Sequence, residues 1–371
     1  MTTWTYACER CAHREALDAP IWRCPACGGA LALDGPNAIT PDTIVATDRT
    51  LWRYRHVLPV EHQHGRSLGE GMTPLVPGTL AGRPVWFKHD ALLPTGSFKD
   101  RGAAMLVAHL RRLGVRRVIV DSSGNAAAAM AGYCAAAGLD CIVYAPVATS
   151  PGKLIQSRAF GATINLVEGD REAVARAAQV AATADPAAFY ASHNWHPVFV
   201  EGVKTWALEV WEQLGGRSPT VAFIPTGGGS AFVGAWRGFA AVGGMLPALV
   251  AAQPAACAPI VAASTTGAPM VVTPGATLAE GTRIGAPARA GQILAALRDS
   301  AGWAEAVGED QLVAALRALW AQGLYVEPTC AIAAAACIAY IERTPILPAG
   351  PLVVLLTGSG LKATDTIAKL L

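Results

Sequence analysis

The chain has 371 residues, a formal net charge of +2 and 15% charged residues. This length allows two or three domains with a sizeable core, and the near-neutral charge gives no electrostatic case for nucleic-acid or membrane partners. Although 52% of the residues are hydrophobic, the long uncharged run from 238 to 279 is interrupted by five prolines, which excludes a membrane-spanning helix of about 20 residues.

Two Cys-x-x-Cys pairs lie near the N-terminus, Cys8 with Cys11 and Cys24 with Cys27. Four thiolates with this spacing can close a tetrahedral Zn²⁺ site. Two disulfides or free thiols are the alternative, and a reducing compartment disfavours the disulfides. Because protein sulfur would fill all four positions, the spacing predicts a structural zinc ribbon in which the metal has no catalytic role.

The segment before these cysteines lacks the basic and apolar pattern of a signal peptide, which predicts a cytoplasmic protein. The other five cysteines lie in apolar or alanine-rich segments, where a thiol behaves as a small hydrophobic group. We expect these five in the core: Cys134, Cys141, Cys257, Cys330 and Cys337.

Lys99 lies in a Gly/Ser-rich turn, residues 96–102, just before a helix predicted over 103–113. A lysine in such a turn can hold an aldehyde cofactor as a Schiff base. A surface lysine paired with Asp100 is the alternative reading.

Three more polar or glycine-rich loops follow predicted strands. They are residues 122–125 after the strand 117–120, residues 226–230 after 221–224, and residues 357–360 after 352–356. Loops at the carboxyl ends of strands are the ligand-binding positions of an open α/β sheet. A lysine nucleophile, a glycine-rich anion cradle and polar residues at two further strand ends fit pyridoxal 5′-phosphate (PLP), whose aldehyde, phosphate, 3′-oxygen and ring nitrogen need separate partners. Helix capping by Ser and Asn, and an ordinary strand-end threonine, are the alternatives.

Six segments resemble landmarks of the fold-type II PLP enzymes and, within them, of threonine synthase and its relatives. They occur in the family's order and cover about residues 45 to 365: 69–75, 94–102, 122–125, 201–205, 326–328 and 357–362. The resemblance implies an α/β protein with two open-sheet domains and the cofactor between them, in addition to the zinc ribbon. We expect the ribbon at 1–40, the N-terminal part of the PLP fold with a mobile small domain at 41–190, and the C-terminal phosphate-binding part at 191–371.

The resemblance also implies roles for individual residues. Lys99 would be the catalytic Schiff-base lysine, Asn125 would bind the cofactor 3′-oxygen, and Thr357 would face the ring nitrogen. The phosphate would lie on the loop formed by Gly227, Gly228, Gly229 and Ser230, where glycine lets backbone N–H groups approach at a helix N-terminus. The expected substrate-binding residues are Thr73, Ser122, Ser123, Gly124 and His196.

Substrate recognition departs from the threonine synthase pattern. Alignment on Pro197 and Glu201 puts His196 and Phe199 at the Asn and Arg positions that clamp the phosphate of O-phosphohomoserine in that family. Ser359 replaces the histidine of the Thr-Gly-His-Gly signature, and the Gly-Gly-Gly-Ser loop is more similar to that of serine/threonine dehydratases. These changes predict intact cofactor chemistry with altered substrate recognition.

We therefore expect a cytoplasmic, threonine synthase-like PLP-dependent lyase that eliminates or replaces a group at the β or γ carbon of a small amino acid. A serine/threonine dehydratase or a diaminopropionate-type ammonia-lyase is the alternative. A non-catalytic amino-acid-binding module would be expected to have lost the lysine, and Lys99 is present. The expected assembly is a homodimer.

Overall fold

The computed structural model describes residues 4–371, which form two compact units. The first unit contains the described part of Met1–Gly71 together with Lys99–Val203, and the second contains Met72–Phe98 together with Lys204–Leu371. Each unit is therefore built from two separate stretches of chain. The linear division at residues 40 and 190 stays a prediction.

The described residues contain strands, α-helices and short 3₁₀ helices. The strands are β1 (Thr5–Cys8), β2 (Arg14–Ala16), β3 (Leu31–Asp34), β4 (Leu75–Leu80), β5 (Arg83–His89), β6 (Arg117–Asp121), β7 (Asp140–Pro146), β8 (Thr163–Val167), β9 (Ala188–Tyr190), β10 (Val221–Pro225), β11 (Ala248–Pro254), β12 (Trp303–Val307) and β13 (Leu352–Leu356). The α-helices are α1 (Lys99–Arg112), α2 (Asn125–Ala137), α3 (Pro151–Ala159), α4 (Arg171–Ala184), α5 (Pro197–Val203), α6 (Thr205–Gln213), α7 (Ser230–Ala241), α8 (Pro259–Thr266), α9 (Ala290–Asp299), α10 (Glu309–Trp320), α11 (Pro328–Arg343) and α12 (Thr364–Ala368). The 3₁₀ helices are Pro41–Thr43, Leu51–Val57, His62–His64, Asp90–Leu92, Ala255–Cys257, Glu280–Thr282 and Gly360–Lys362.

The first unit contains two sheets. Three short antiparallel strands in the order β2-β1-β3 and the turns that connect them contain the cysteine pairs. Four parallel strands in the order β8-β7-β6-β9 form an open α/β sheet. The predicted strand at 117–120 is confirmed as β6. The predicted helix at 103–113 begins earlier, at Lys99. The negative charge of Asp100 in the first turn interacts favourably with the positive N-terminus of the helix, which stabilises this earlier start.

The second unit has one six-stranded sheet in the order β12-β11-β10-β13-β5-β4. All neighbours are parallel except the β4–β5 hairpin, which is antiparallel. The predicted strands at 221–224 and 352–356 are confirmed as β10 and β13, and every residue of both is buried. Continuous apolar strands of this kind are typical of parallel sheets covered on both faces.

The uncharged run from 238 to 279 is divided among the end of α7, strand β11, the 3₁₀ helix Ala255–Cys257, helix α8 and loops. No helix in residues 4–371 combines the length and the apolar character that a bilayer-spanning segment requires. This agrees with the prediction drawn from the interrupting prolines.

Two glycines let helices α1 and α5 of the first unit pack closely. A Cβ on Gly102 would lie 2.3 Å from the Phe199 ring, and one on Gly202 would lie 2.1 Å from the Arg101 carbonyl oxygen. Real Cβ atoms do not approach other heavy atoms this closely, so a larger residue at either position would force its neighbours to move. The helix that begins at Lys99 is therefore fixed against the segment that carries Phe199.

Candidate active site and metal centre

The four N-terminal cysteines converge in the structure. Their sulfur atoms all lie within 4.8 Å of one another, with 3.5 Å between Cys8 and Cys27 and 3.6 Å between Cys11 and Cys24. Sulfurs around a tetrahedral zinc are roughly 3.8 Å apart, given Zn–S bonds of about 2.3 Å. Although burial opposes ionisation, backbone N–H groups of Cys27 and Ala26 and the neighbouring thiols lower the pKa of Cys24 to about 6. Although a backbone hydrogen bond opposes this, the same neighbouring thiols raise the pKa of Cys11 to about 12, so it is the spacing of the four sulfur atoms that fits a tetrahedral metal.

The cysteine-bearing sheet packs through aromatic side chains onto the rest of the first unit. The hydroxyl of Tyr6 lies 3.0 Å from Nε2 of His109 in helix α1, and both side chains are fully buried. Trp22 meets the ring of Tyr190 edge-on at a centroid distance of 4.7 Å. These contacts connect strand β1 to the helix that begins at Lys99, and the loop between β2 and β3 to strand β9.

His196, expected to bind substrate, lies in this aromatic cluster. Its ring centroid is 6.1 Å from that of Tyr6, 5.4 Å from that of His109 and 5.7 Å from that of Phe189. Its Nδ1 accepts a hydrogen bond from the Val198 N–H at 3.3 Å, and the side chain is fully buried. A role in substrate binding stays a prediction.

Lys99 is the first residue of α1 and is partly buried. Its Nζ lies 5.6 Å from the centroid of the Phe199 ring, and His193 meets the same ring edge-on at 5.9 Å. Burial lowers the pKa of His193 well below its ordinary value of 6.5, and the positive charges of Lys99 and Arg171 lower it further. The amino group of Lys99 is thus accompanied by an apolar ring and a neutral imidazole.

The loop 122–125 joins the end of β6 to the start of α2, as the sequence predicts. Ser122 Oγ accepts a weak hydrogen bond from the Gly124 N–H at 3.4 Å, and the space around Gly124 is open. Ser122, Ser123, Gly124 and Asn125 are all partly exposed. Helix α2 has 13 residues, so its N-terminal N–H groups can attract a carboxylate.

The loop 227–230 joins β10 to α7 in the second unit. Gly229 has φ +91, a left-handed conformation that favours glycine, and a Cβ there would lie 2.5 Å from Ile293. A Cβ on Gly227 would lie 2.8 Å from the backbone of Thr282. Because Ser230 opens a helix of 12 residues, this glycine-dependent turn presents backbone N–H groups where a phosphate is favoured.

Thr357 follows strand β13 in the second unit and is 2% exposed. Its carbonyl oxygen accepts a hydrogen bond from the Phe98 N–H at 2.9 Å. Its hydroxyl oxygen lies 3.5 Å from the sulfur of Cys330 at the start of α11. Cys330 is confirmed as buried, but this contact could not be predicted from local patterns because 27 residues separate the two positions.

Thr73, also expected to bind substrate, is buried in a polar network of the second unit. Its hydroxyl donates to Asp90 at 2.7 Å, and its carbonyl oxygen accepts from Lys88 Nζ and Gln213, each at 2.8 Å. Lys88 also forms a fully buried ion pair with Glu209 at 2.6 Å. This network anchors the segment at Thr73, and direct substrate binding by Thr73 stays a prediction.

The protein is similar in sequence and in fold to known enzymes. Residues 66–358 match the model of the family "Pyridoxal-phosphate dependent enzyme". The chain is 31% identical to the threonine synthase of Methanocaldococcus jannaschii, over 96% of this chain and 93% of that protein. The crystal structure of a T.th. threonine deaminase has a TM-score of 0.67 at 25% identity, over 78% of this chain and 92% of that one. The crystal structure of an L-serine ammonia-lyase from Rhizomucor miehei has a TM-score of 0.73 at 20% identity, over 81% of this chain and 97% of that one.

The chain therefore belongs to the pyridoxal-phosphate dependent enzyme family. Its fold is that of the fold-type II enzymes, and its class is that of the PLP-dependent lyases related to threonine synthase, which confirms both predictions. The residues present fit the cofactor, because the turn at Gly227–Ser230 has the backbone freedom and the helix N-terminus that a phosphate needs.

Proposed function

We propose that this enzyme eliminates or replaces a group at the β or γ carbon of a small amino acid with an uncharged side chain. The observation that carries the proposal is the phenyl ring of Phe199 beside the amino group of Lys99. By the sequence resemblance, threonine synthases have a phosphate-clamping arginine at this position. Phe199 cannot pair with a phosphate dianion, and the neighbouring His193 is held neutral by burial and by nearby positive charges, which lower its pKa.

When bound, PLP supplies an aldehyde for a lysine amine and a ring that stabilises negative charge at the substrate Cα. Lys99 would hold the aldehyde and, after substrate has taken its place, move the proton at Cα. N–H groups of residues 227–230 would hold the phosphate, and Thr357 would face the ring nitrogen. Asn125 would bind the 3′-oxygen, while Ser122 and Ser123 at the N-terminus of α2 would receive the substrate carboxylate.

Deamination of serine or threonine is the reaction that the apolar Phe199 ring beside Lys99 favours. The likeness to a threonine deaminase structure supports it. Threonine formation from O-phosphohomoserine is the second candidate, supported by the 31% identity to a threonine synthase. It would need a cation other than an arginine at position 199, such as Arg171, whose charge lowers the pKa of His193. The exposed Arg283, which donates a hydrogen bond to the Pro274 carbonyl oxygen at 3.4 Å, is a second candidate.

A substrate panel tests the proposal. Purified enzyme is assayed with O-phosphohomoserine, homoserine, serine, threonine and 2,3-diaminopropionate, with phosphate, keto acid and ammonia measured separately. We expect the highest kcat/KM for an uncharged substrate. A kcat/KM for threonine formation from O-phosphohomoserine above that of every uncharged competitor would overturn the proposal.

Two variants of Phe199 sharpen the comparison. Phe199→Arg should raise kcat/KM for O-phosphohomoserine relative to serine by roughly 10-fold to 100-fold, the value of one charge-assisted hydrogen bond. Phe199→Leu removes the ring without adding charge and should leave that ratio near the wild-type value. Equal ratios in both variants would show that position 199 does not recognise the substrate.

The role of Lys99 is tested without turnover. Borohydride treatment of the PLP-loaded enzyme should fix the cofactor to Lys99, as identified by mass spectrometry of peptides. Lys88 serves as the internal control: it is fully buried and ion-paired with Glu209, so its peptide should carry no cofactor. Attachment at any lysine other than Lys99 would contradict the assignment.

We also propose that Cys8, Cys11, Cys24 and Cys27 bind one structural Zn²⁺. The convergence of their four sulfur atoms supports this. The contacts of Tyr6 with His109 and of Trp22 with Tyr190 support a packing role for the ribbon. The cytoplasmic location and the homodimer stay predictions from the sequence.

A further inference from the structure

Cys330 makes four polar contacts with the peptide that carries Thr357. Its sulfur lies 3.1 Å from the N–H nitrogen of Thr357 and 3.3 Å from that of Gly358. It also lies 3.5 Å from the Thr357 hydroxyl oxygen and 3.3 Å from the Gly358 carbonyl oxygen. Cys330 is the third residue of α11 and is fully buried.

The thiol proton has two acceptors within reach. The sulfur accepts from the N–H groups of Thr357 and Gly358, which leaves its single proton for the Gly358 carbonyl oxygen or the Thr357 hydroxyl oxygen. Burial, reinforced by the Glu327 carboxylate, raises the pKa of Cys330 to about 12. The thiol therefore keeps its proton at neutral pH and can donate it.

The surrounding backbone leaves this peptide little freedom. The Glu327 N–H donates to the Gly358 carbonyl oxygen at 3.0 Å, and the Phe98 N–H donates to the Thr357 carbonyl oxygen at 2.9 Å. A Cβ on Gly358 would lie 2.5 Å from a carboxylate oxygen of Glu327. With the backbone held in this way, a contact to the Thr357 hydroxyl governs where that hydroxyl points.

We propose that Cys330 is a positioning residue that orients the Thr357 hydroxyl toward the pyridine nitrogen of PLP. When the sulfur donates its proton to the hydroxyl oxygen rather than to the Gly358 carbonyl oxygen, the hydroxyl's own proton is directed to the ring nitrogen. Serine is a poor substitute, because oxygen forms shorter hydrogen bonds than the 3.1–3.5 Å contacts of this sulfur. The inference rests on the proposed role of Thr357.

The experiment compares three variants of the full chain reconstituted with PLP. Cys330→Ala removes the sulfur, Cys330→Ser keeps a hydrogen-bonding group, and Cys337→Ala is the matched control. Cys337 is fully buried in the same helix, two turns further on, and packs in the apolar core. The readouts are the dissociation constant of PLP and the visible absorption band of the bound cofactor between pH 6 and pH 9.

Cys330→Ala should weaken PLP binding roughly tenfold, the value of one lost hydrogen bond, and shift the absorption band. Cys330→Ser should show smaller changes in the same direction, and Cys337→Ala should resemble the wild type in both readouts. If circular dichroism shows that Cys330→Ala does not fold, Cys330→Ser decides by the same two readouts.

A Cys330→Ala variant with wild-type affinity and spectrum would overturn the inference, as would equal changes in Cys330→Ala and Cys337→Ala. The variant Thr357→Val distinguishes a wrong role for Cys330 from a wrong assignment of Thr357 to the ring nitrogen. If Thr357→Val changes both readouts and Cys330→Ala changes neither, only the role of Cys330 is wrong. If neither variant has an effect, the assignment of Thr357 to the ring nitrogen is wrong as well.

Discussion

Gly102→Ala should lower the free energy of unfolding, because the added methyl group disturbs the packing of helix α1 on Phe199. The new Cβ would lie 2.3, 2.4 and 2.5 Å from three carbons of the Phe199 ring, whereas carbon atoms in contact are about 3.5–4.0 Å apart. The ring must move by about 1 Å, and it is fully buried. Overpacking costs about 1–3 kcal/mol, and alanine in a helix regains about 1 kcal/mol. We expect a net loss of up to about 2 kcal/mol in the free energy of unfolding.

Gly291→Ala provides the control for this prediction. Gly291 lies in helix α9 with nothing within 4 Å of the added Cβ, so the variant should be stabilised by up to about 1 kcal/mol. Urea unfolding of both variants isolates the clash as their difference, about 1–3 kcal/mol. Adding Phe199→Leu to Gly102→Ala should reduce that difference. If Gly102→Ala is as stable as Gly291→Ala, the close packing of α1 on Phe199 is wrong.

Three further predictions concern stability. Lys88→Met leaves the buried Glu209 carboxylate without its ammonium partner and should lower the free energy of unfolding by about 3–5 kcal/mol. The double variant Lys88→Met/Glu209→Leu should restore much of this stability. Urea unfolding measures both variants, and an equally large loss in the double variant would contradict the prediction. Burial and the charge of Arg112 lower the pKa of His109 from 6.5 to about 3, so stability is complete above pH 6.5 and falls as the pH drops toward 3. Between pH 6.5 and 5 the wild type should therefore lose about 2 kcal/mol more than His109→Gln, which keeps the other buried histidines such as His193. Parallel pH profiles of the two proteins would refute this. Replacing Cys24 and Cys27 with serine should release about one zinc per chain and lower Tm, while the absorption band of bound PLP remains. Metal analysis and absorption spectroscopy measure the two effects. Loss of cofactor binding in a variant that still folds would contradict a purely structural metal.

Local patterns predicted the elements that depend on nearby residues. The strand at 352–356 and the helix starts beside residues 125 and 230 follow from apolar runs that end in glycine-rich or polar loops. The cysteine spacing likewise predicted a cluster that the structure confirms as close-packed sulfur. The strand and the helix starts need only the sequence within about ten residues, which is the range over which periodicity and turn chemistry act. The cysteine cluster joins two such local signals, one Cys-x-x-Cys pair at Cys8 and one at Cys24.

Contacts between distant positions could not be predicted in this way. Thr73 is an ordinary landmark threonine in the sequence, yet its hydrogen bonds reach Asp90 and Glu209, which lie 17 and 136 residues further along the chain. The contact of Cys330 with Thr357 depends on how α11 packs against β13. Apolar periodicity indicates that a side chain is buried, but it does not identify the neighbour that the side chain meets.

The central position of β13 has a consequence for synthesis on the ribosome. The β4–β5 hairpin is synthesised early, whereas strand β13, which pairs with β5, is synthesised about 270 residues later. In this pair Val353 lies opposite Trp86. At about 5–20 residues per second, that interval lasts roughly 15–50 s. During this time the apolar edge of β5 lacks its neighbour and is a candidate client for chaperones. A nascent chain arrested before residue 352 should therefore aggregate more readily than one released after β13 has left the exit tunnel.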